Sequence, residues 1–374
     1  MAGTVSWDSL RELAGFRAAK GVAVSFYLDL DPGATAPAAT RVNSLLSDAA
    51  RQLDRSDLTH DQRQGLKADV ERIRRYFQQE LVRDGAHGLA LFASELDNLW
   101  RPLALTESVA DAVKVNSELY LTPLVPLVGR GEGALVAVVG RERGEIYRLH
   151  GGKLEPLADR TEEAPGQHDQ GGWSQARYQR HIEHLVEEHL QHVAEELDRR
   201  VRRRSERIVV VSTEETRAVF DDVISKEVRD AIVGWTTAEA HAGPPELLAA
   251  ATPVLEAWHA RAEEHAVERW REEAGRHGPA ASGWETTLEA ASDGRVDLLL
   301  YRNGVQHPAW RCPGCGRLAA RDGACPLDGT RMERTDEGLD LAVHQTLSNG
   351  GTVWAVTTRP DLDQVEGIGA LLRY

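Results

Sequence analysis

The strongest constraint on this fold is a stretch of about 30 residues, from Gln175 to about Arg204, in which apolar side chains recur at helical spacing. Charged residues flank this apolar stripe, whose members are Ile182, Leu185, Val186, Leu190, Val193, Leu197 and Val201. A helix of this length extends roughly 45 Å at 1.5 Å per residue. The chain therefore has to build one of its domains around a long amphipathic helix.

A polar loop precedes this helix and ends in a glycine pair. Residues 162–170 contain one proline, one glycine and no hydrophobic period, which is typical of an exposed loop. Residues 171–175, Gly-Gly-Trp-Ser-Gln, follow where the loop turns into the helix. Glycine takes positive φ freely and lets the backbone approach a ligand closely. The pattern predicts a loop tip that presents Gln175 to a narrow site.

The loop, the helix and the terminal residues 367–374, Gly-Ile-Gly-Ala-Leu-Leu-Arg-Tyr, resemble the archaeo-eukaryotic release-factor superfamily. In particular they resemble its bacterial branch, the peptidyl-tRNA hydrolases of the ribosome-quality-control tRNA-releasing type. That branch places the glutamine two residues beyond the strict Gly-Gly-Gln spacing, as this chain does. The terminal octapeptide resembles the end of the third domain in release factors and Pelota. The resemblance covers residues 130–374, and the first 130 residues match only loosely.

This resemblance implies a ribosome-associated peptidyl-tRNA hydrolase that frees the nascent peptide from tRNA on stalled ribosomes or 50S subunits. It implies catalytic roles for Gly171, Gly172 and Gln175. A glutamine suits such a role because it offers an acceptor that orients water and a donor for the developing oxyanion. The alternative is a non-hydrolytic rescue or hibernation factor that occupies the ribosomal A site.

The implied partners are the ribosome, as a 70S particle or a 50S subunit, with its rRNA and peptidyl-tRNA. A translational GTPase remains an open partner, and we expect the chain to be a monomer. The expected RNA contacts are Trp173, Ser174, Arg177, Arg180, Arg199, Arg200, Arg202, Arg203 and Arg204. Two features argue against these RNA contacts. The net charge of -15 opposes nonspecific RNA binding, and arginines at the C-terminal end of a helix are also explained by its dipole.

The three cysteines fall in one short segment, in which the same knuckle pattern occurs twice. Residues 312–316 read Cys-Pro-Gly-Cys-Gly and residues 325–329 read Cys-Pro-Leu-Asp-Gly. Paired knuckles of this kind aim their ligands at one tetrahedral zinc ion. The sequence therefore predicts a structural zinc site formed by Cys312, Cys315, Cys325 and Asp328, with His307 as an alternative fourth ligand. A metal-free pair of turns with three free thiols is the competing interpretation.

The order of predicted elements indicates a multidomain α/β protein. Residues 1–128 mix helical and strand-like runs and form an N-terminal α/β domain. Residues 129–238 give a strand hairpin, the glycine loop, the long helix and further strands, which resembles the ribonuclease-H-like middle domain of release factors. No acidic cluster on these strands suggests nuclease activity. Residues 239–374 resemble an L7Ae-like C-terminal domain with a cysteine-rich knuckle insertion at 312–329.

Composition agrees with a soluble, cytoplasmic protein. The chain has 374 residues, of which 41% are hydrophobic and 28% charged, and this length predicts two or three domains. Its apolar runs are far shorter than the roughly 20 residues that span a membrane. The N-terminus has early charges and no apolar segment of a signal peptide. We therefore expect no membrane partner.

Overall fold

The structure is a computed structural model that describes residues 5, 7–31, 33, 36–54, 56, 58–81, 86–105, 107–129, 133–150, 152–159, 174–203, 206–357 and 359–374. For residues 174–183 only the backbone is described. The chain divides into two compact units. One combines Met1–Gly129 with Ala260–Tyr374, and the other is Arg130–His259. The predicted N- and C-terminal domains thus belong to one compact unit.

The N-terminal segment forms a four-stranded antiparallel sheet with strand order β3-β2-β1-β4. Its helices are α1 (Trp7–Ala14), α2 (Ala38–Arg51), α3 (His60–Arg75) and α4 (Val125–Gly129), and its strands are β1 (Ala23–Asp29), β2 (Gly88–Ser94), β3 (Leu99–Leu105) and β4 (Ala112–Asn116). Side chains of β1 alternate between two cores, as the period of a strand requires. Val24, Phe26 and Leu28 pack with α2 and α3, whereas Ala23 and Tyr27 face the other core.

The C-terminal segment contains two further sheets. The larger has strand order β10-β16-β11-β15, with β11 and β15 parallel, and the smaller has order β13-β12-β14. The elements are β10 (Ala280–Ser282), α9 (Trp284–Ser292), β11 (Val296–Arg302), β12 (Ala309–Arg311), β13 (Leu318–Ala319), β14 (Glu333–Thr335), α10 (Gly338–Ser348), β15 (Thr352–Val356) and β16 (Ile368–Leu372). Strand β16 accounts for most of the terminal octapeptide and lies between β10 and β11.

A single hydrophobic core joins the N- and C-terminal segments. It contains Leu10 of α1 and Tyr27 of β1 together with Val343 of α10, all fully buried. Polar contacts reinforce the junction. Arg311 binds the carboxylate of Glu118 through both guanidinium NH2 groups. Burial alone would raise the pKa of Glu118, but these bonds hold it below its usual range. Residues 1–129 therefore complete their core with side chains from the other end of the chain.

The middle unit is built on a five-stranded sheet with strand order β7-β6-β5-β8-β9. Strands β5, β6 and β7 are antiparallel neighbours, whereas β5, β8 and β9 run parallel. The strands are β5 (Leu135–Val139), β6 (Gly144–His150), β7 (Lys153–Asp159), β8 (Ile208–Val211) and β9 (Ile232–Thr236), and the helices are α5 (Ser174–Val201), α6 (Glu214–Val223), α7 (Lys226–Ala231) and α8 (Pro244–Gly275). The part of helix α8 up to His259 belongs to this unit, and the part from Ala260 onward belongs to the other.

Helices cover both faces of this sheet. Leu190, Val193 and Leu197 of α5 pack against one face, together with residues of α6 and α7. Leu247 and Leu255 of α8 pack against the other. The predicted apolar stripe of the long helix is confirmed at these buried positions. Within the described residues, no helix has the length and apolar character needed to cross a membrane.

Candidate functional site

The glycine loop leads into the long helix at the position that the sequence predicts. Strand β7 ends at Asp159 and α5 begins at Ser174, one residue before the predicted start. Gln175 therefore lies in the first turn of α5. Gly171, Gly172 and Trp173 lie outside the described residues, as do the side chains of Ser174 and Gln175. The catalytic assignment of this loop stays a prediction.

The predicted RNA contacts lie at both ends of α5. Arg177 and Arg180 belong to its first two turns, where only the backbone is described, and Arg204 lies outside the described residues. Arg199 and Arg200 lie in the last turn of the helix, and Arg202 and Arg203 follow its end at Val201. Arg199, Arg200 and Arg202 pair with carboxylates there, whereas Arg203 forms no ion pair within the described residues.

Carboxylates from the preceding helical turn hold most of these arginines. Glu196 forms ion pairs with Arg199, at 2.5 Å between Oε2 and Nη2, and with Arg200, at 2.7 Å between Oε1 and Nη2. Arg202 lies 2.5 Å from Asp198, and the Ser225 hydroxyl donates to the same carboxylate at 2.6 Å. These contacts lower the pKa of Asp198, chiefly through Arg202. The arginine run is thus partly neutralised by its own helix.

One histidine of α5 is buried, although the sequence predicts that the histidines of this helix face solvent or RNA. The sequence places His181, His184, His189 and His192 beside the apolar stripe, and such residues are expected to face solvent or RNA. The side chain of His181 lies outside the described part of the chain. His184 and His192 are exposed, whereas His189 is 2% exposed and packs where β6 begins. The reason is the close approach of α5 to Gly144, which has no side chain to keep His189 away.

The two cysteine knuckles have matching backbones. In the first, Gly316 N–H donates to the Cys312 carbonyl oxygen at 2.9 Å, and Cys312 N–H donates to the Arg317 carbonyl at 2.8 Å. In the second, Gly329 donates to Cys325 and Cys325 donates to the Thr330 carbonyl with the same two distances. Both closing glycines have positive φ, +78° and +72°, which favours glycine at these positions. The repeated sequence therefore produces a repeated turn.

The knuckles bring four potential metal ligands together. One ligand atom each of Cys312, Cys315, Cys325 and Asp328 lies within 4.8 Å of the others. The thiols of Cys315 and Cys325 are 3.5 Å apart, and that of Cys312 lies 3.4 Å from Asp328 Oδ2. Hydrogen bonds from Thr330 lower the pKa of Asp328 to about 2, so this carboxylate is ionised at neutral pH. The four donors predicted from the sequence therefore lie close enough together to bind one metal ion.

His307 is not the fourth member of this cluster. Its imidazole stacks on Trp284 with ring centroids 4.7 Å apart, and its Nδ1 lies 2.6 Å from the Pro308 carbonyl oxygen. The alternative ligand set proposed from the sequence is therefore wrong. Asp328 occupies the fourth position because the second knuckle aims it there.

Sequence reasoning missed a cleft beside the C-terminal end of α5. The cleft has a volume of about 300 Å³ and is lined by Arg148, Glu196, Arg199, Arg200, Arg203 and Glu206. Arg148 belongs to β6 and forms an ion pair with Glu206, 58 positions further along the chain. Alternation along β6 could place Arg148 on one face of a strand, but only the packing of α5 on the sheet brings it to the arginine run.

A second cleft, of about 530 Å³, lies within the other unit and includes Lys114, Glu118, Arg311 and Asp340 in its lining. Its cations already have carboxylate partners: Lys114 pairs with Asp340 and, at 3.0 Å, with Glu337, and Arg311 pairs with Glu118. These groups stabilise the junction of the N- and C-terminal segments.

Comparison with known proteins agrees with the resemblance drawn from the sequence. Residues 120–263 match the family described as bacterial archaeo-eukaryotic release factor family 10. This segment includes the glycine loop, α5 and the whole five-stranded sheet. The resemblance to release-factor-like proteins is confirmed.

Curated relatives carry the same kind of name. The chain is 25% identical over 287 residues to peptide chain release factor subunit 1 of Archaeoglobus fulgidus, covering 69% of this chain and 70% of the relative. It is 27% identical over 214 residues to the protein of that name from Methanopyrus kandleri and spans 51% of its length. Among solved structures, S. cerevisiae Dom34, a translation termination-like factor, matches 76% of this chain and 79% of its own at 13% identity, with a TM-score of 0.41.

Proposed function

We propose that this chain, which matches bacterial archaeo-eukaryotic release factor family 10 over residues 120–263, acts on the ribosome as a peptidyl-tRNA hydrolase. The observation that carries this proposal is the Gly171-Gly172 pair leading to Gln175 in the first turn of α5, inside the matched segment. Its relatives are named peptide chain release factors, which supports a role in freeing peptide from tRNA.

The architecture of the middle unit supports the proposal. Counted within the unit, the strand order is 3-2-1-4-5, with the first three strands antiparallel and the last two parallel to the first. We infer a ribonuclease-H-like middle domain that displays the loop, and an L7Ae-like arrangement for the sheet formed by β10, β11, β15 and β16. The sheet and its covering helices give α5 a rigid base, and its N-terminus carries Gln175.

The proposed chemistry is the hydrolysis of one ester bond. Water adds to the carbonyl carbon that links peptide and tRNA, and the bond to the ribose oxygen then breaks, leaving a free carboxyl group and a tRNA hydroxyl. Gln175 accepts a hydrogen bond from the water through its side-chain oxygen and so orients it, and its NH2 group donates to the developing oxyanion. Backbone N–H groups at Gly171 and Gly172 approach the same oxyanion. The ribosome supplies the remaining surface of the site, so the chain needs no catalytic triad of its own.

The test compares two glutamines of the same helix. Gln175→Ala should leave ribosome binding unchanged and lower the rate of peptide release by on the order of 10² to 10³, the cost of losing one positioned donor. Gln191→Ala, at an exposed position of α5, is the matched control and should release peptide like the wild type. Binding is measured by co-sedimentation with ribosomes, and release by the liberation of labelled peptide. Equal rates for both variants would remove Gln175 from the mechanism.

Gly172→Ala addresses the backbone of the loop. An added Cβ opposes positive φ and close approach, so release should fall while the thermal stability of the protein stays the same. Unimpaired release by this variant would show that the glycine pair has no role in the site.

We also propose that the knuckle pair holds one structural zinc ion. Three thiolates and one carboxylate are a donor set that zinc accepts, and Cys312 and Cys325 are buried while Cys315 and Asp328 lie at the surface. The ion would tie β12, β13 and β14 together, because the first knuckle lies between β12 and β13 and the second precedes β14.

A further inference from the structure

The arginine cleft of the middle unit concentrates positive charge in an acidic protein. Four guanidinium groups and two carboxylates line about 300 Å³, whereas the chain as a whole carries a net charge of -15. A polyanion is repelled by such a chain at long range. Any affinity for phosphate must therefore come from local contacts that are already oriented.

The walls of the cleft orient their arginines. On one side, Glu196 holds both Arg199 and Arg200, and Arg200 also donates to the Leu157 carbonyl oxygen at 3.3 Å. On the other side, Arg148 pairs with Glu206 and both side chains are largely buried. Because these side chains are already held in place, less side-chain entropy is lost when a ligand binds.

Two arginines of the cleft retain guanidinium N–H groups that could donate to a ligand. A guanidinium has five N–H groups, and within the described residues Arg199 donates through two of its nitrogens, to Glu196 and to the Glu195 carbonyl. Arg203 is exposed and forms no ion pair within the described residues. Its planar group is free to bind two oxygens of one phosphate, the geometry that arginine provides and lysine does not.

Arg202 contrasts with its neighbour. It is absent from the cleft lining, it lies 2.5 Å from Asp198, and Glu227 adds a second carboxylate at 3.8 Å. Arg202 and Arg203 therefore have the same charge and adjacent positions but different electrostatic surroundings.

We propose that this cleft is a binding site for a backbone phosphate of RNA, with Arg203, Arg199 and Arg148 as the phosphate-binding side chains. Arg202, an expected RNA contact from the sequence, is reassigned as a structural ion-pair residue, because it pairs with Asp198 and Glu227 and does not line the cleft. The inference rests on the proposed function, because the ribosome supplies the RNA. Glu196 and Glu206 act as positioning residues that hold the guanidinium groups. The cleft volume is at the low end for ligand pockets, which suits one phosphate with its sugar.

The experiment measures binding of the full chain to a labelled single-stranded RNA of about 16 nucleotides, by fluorescence anisotropy at several salt concentrations. Arg203→Gln should weaken binding about 5- to 10-fold at low salt and reduce the slope of log affinity against log salt by about 0.7, the value for one phosphate on a single strand. Arg148→Gln should act in the same direction. Arg202→Gln removes the same charge one residue away and should change the affinity by less than about twofold.

The competing outcomes are distinct. Equal losses for Arg202→Gln and Arg203→Gln would show a general charge effect and overturn the cleft assignment, as would the absence of RNA binding by the wild type. If adenosine monophosphate or inorganic phosphate competed as effectively as unlabelled RNA, the cleft would be a site for a small anion. That result would overturn the RNA assignment. A failure of the cleft is separable from a failure of the proposed function, because release by the wild type and by Gln175→Ala is measured independently on the ribosome.

Discussion

Asp328 stands where the second knuckle would otherwise repeat a cysteine, and the backbone around it is the same as around Cys315. The carboxylate reaches the cluster because the turn, and not the residue type, sets the direction of the fourth ligand. Such local arrangements are predictable, since the spacing of the residues determines them. The alternative ligand His307 was wrong because stacking on Trp284, 23 positions earlier in the chain, decides where its ring lies.

Replacing Asp328 tests the metal site at the residue scale. Purified protein should carry about one zinc per chain, the stoichiometry of a single tetrahedral site. Asp328→Ala should weaken zinc binding by at least the roughly 10- to 100-fold that loss of an outer-shell partner costs. Asp328→Cys should strengthen it, because a soft thiolate suits this ion better than an added oxygen. Metal content and chelator competition are the measurements.

The control for this series is Asp322→Ala, in the same segment, where the carboxylate pairs with Arg331 at 2.6 Å and lies outside the cluster. It should retain the metal. A native protein that contains no zinc, and whose melting temperature a chelator leaves unchanged, would refute the site.

At the scale of elements, the middle unit depends on the close approach of α5 to β6. A Cβ added at Gly144 would lie 2.6 Å from Val193 Cγ2, closer than packed atoms come, and 3.1 Å from His189 Cε1, which is a tight contact. Overpacking of this kind typically costs about 1 to 3 kcal/mol. The missing side chain of Gly144 therefore sets the distance between helix and sheet.

We expect Gly144→Ala to destabilise the middle unit by this amount and Val193→Ala to compensate for part of the loss, because it removes the methyl group that clashes. Gly140→Ala is the control, since its Cβ would meet no atom nearer than 3.5 Å. Thermal unfolding of the single and double variants gives the coupling energy. Strictly additive costs would contradict this contact.

Most elements of the middle unit could be predicted from the sequence, because the valine-rich strands and the long helix have clear periods. Strand β7 could not. Its sequence, Lys-Leu-Glu-Pro-Leu-Ala-Asp, contains a proline, which argues against a central strand. The strand is at the edge of the sheet, where Pro156 lies opposite Tyr147 beside an irregularity in register. Proline is tolerated in that setting because an edge strand leaves backbone groups unpaired.

At the scale of the whole molecule, the N- and C-terminal segments share a core that periodicity alone cannot reveal. Each segment shows an ordinary alternation of apolar residues, and the partner of a given face is separated by hundreds of positions. Leu10 and Val343 illustrate this, since α1 packs against α10. The predicted division into three domains therefore needs a direct physical test.

Calorimetry provides that test. Leu10→Ala and Val343→Ala should lower the same heat-absorption transition, because both create cavities in one core, whereas Leu197→Ala should lower the transition of the middle unit. A buried Leu→Ala substitution costs about 2 to 5 kcal/mol, enough to shift a transition visibly. Native-state hydrogen exchange assigns each transition to its residues. If Leu10→Ala and Val343→Ala moved separate transitions, the two segments would be independent domains.

The most direct test of the central claim is single-turnover release of labelled peptide from bacterial 70S particles and 50S subunits that carry peptidyl-tRNA. The wild-type chain should bind at least one of these particles and accelerate peptide release above the spontaneous rate, with a rate that saturates as the protein concentration rises. Bound protein that leaves peptidyl-tRNA intact on both particles would contradict the hydrolase and identify the chain as a factor that only occupies the ribosome.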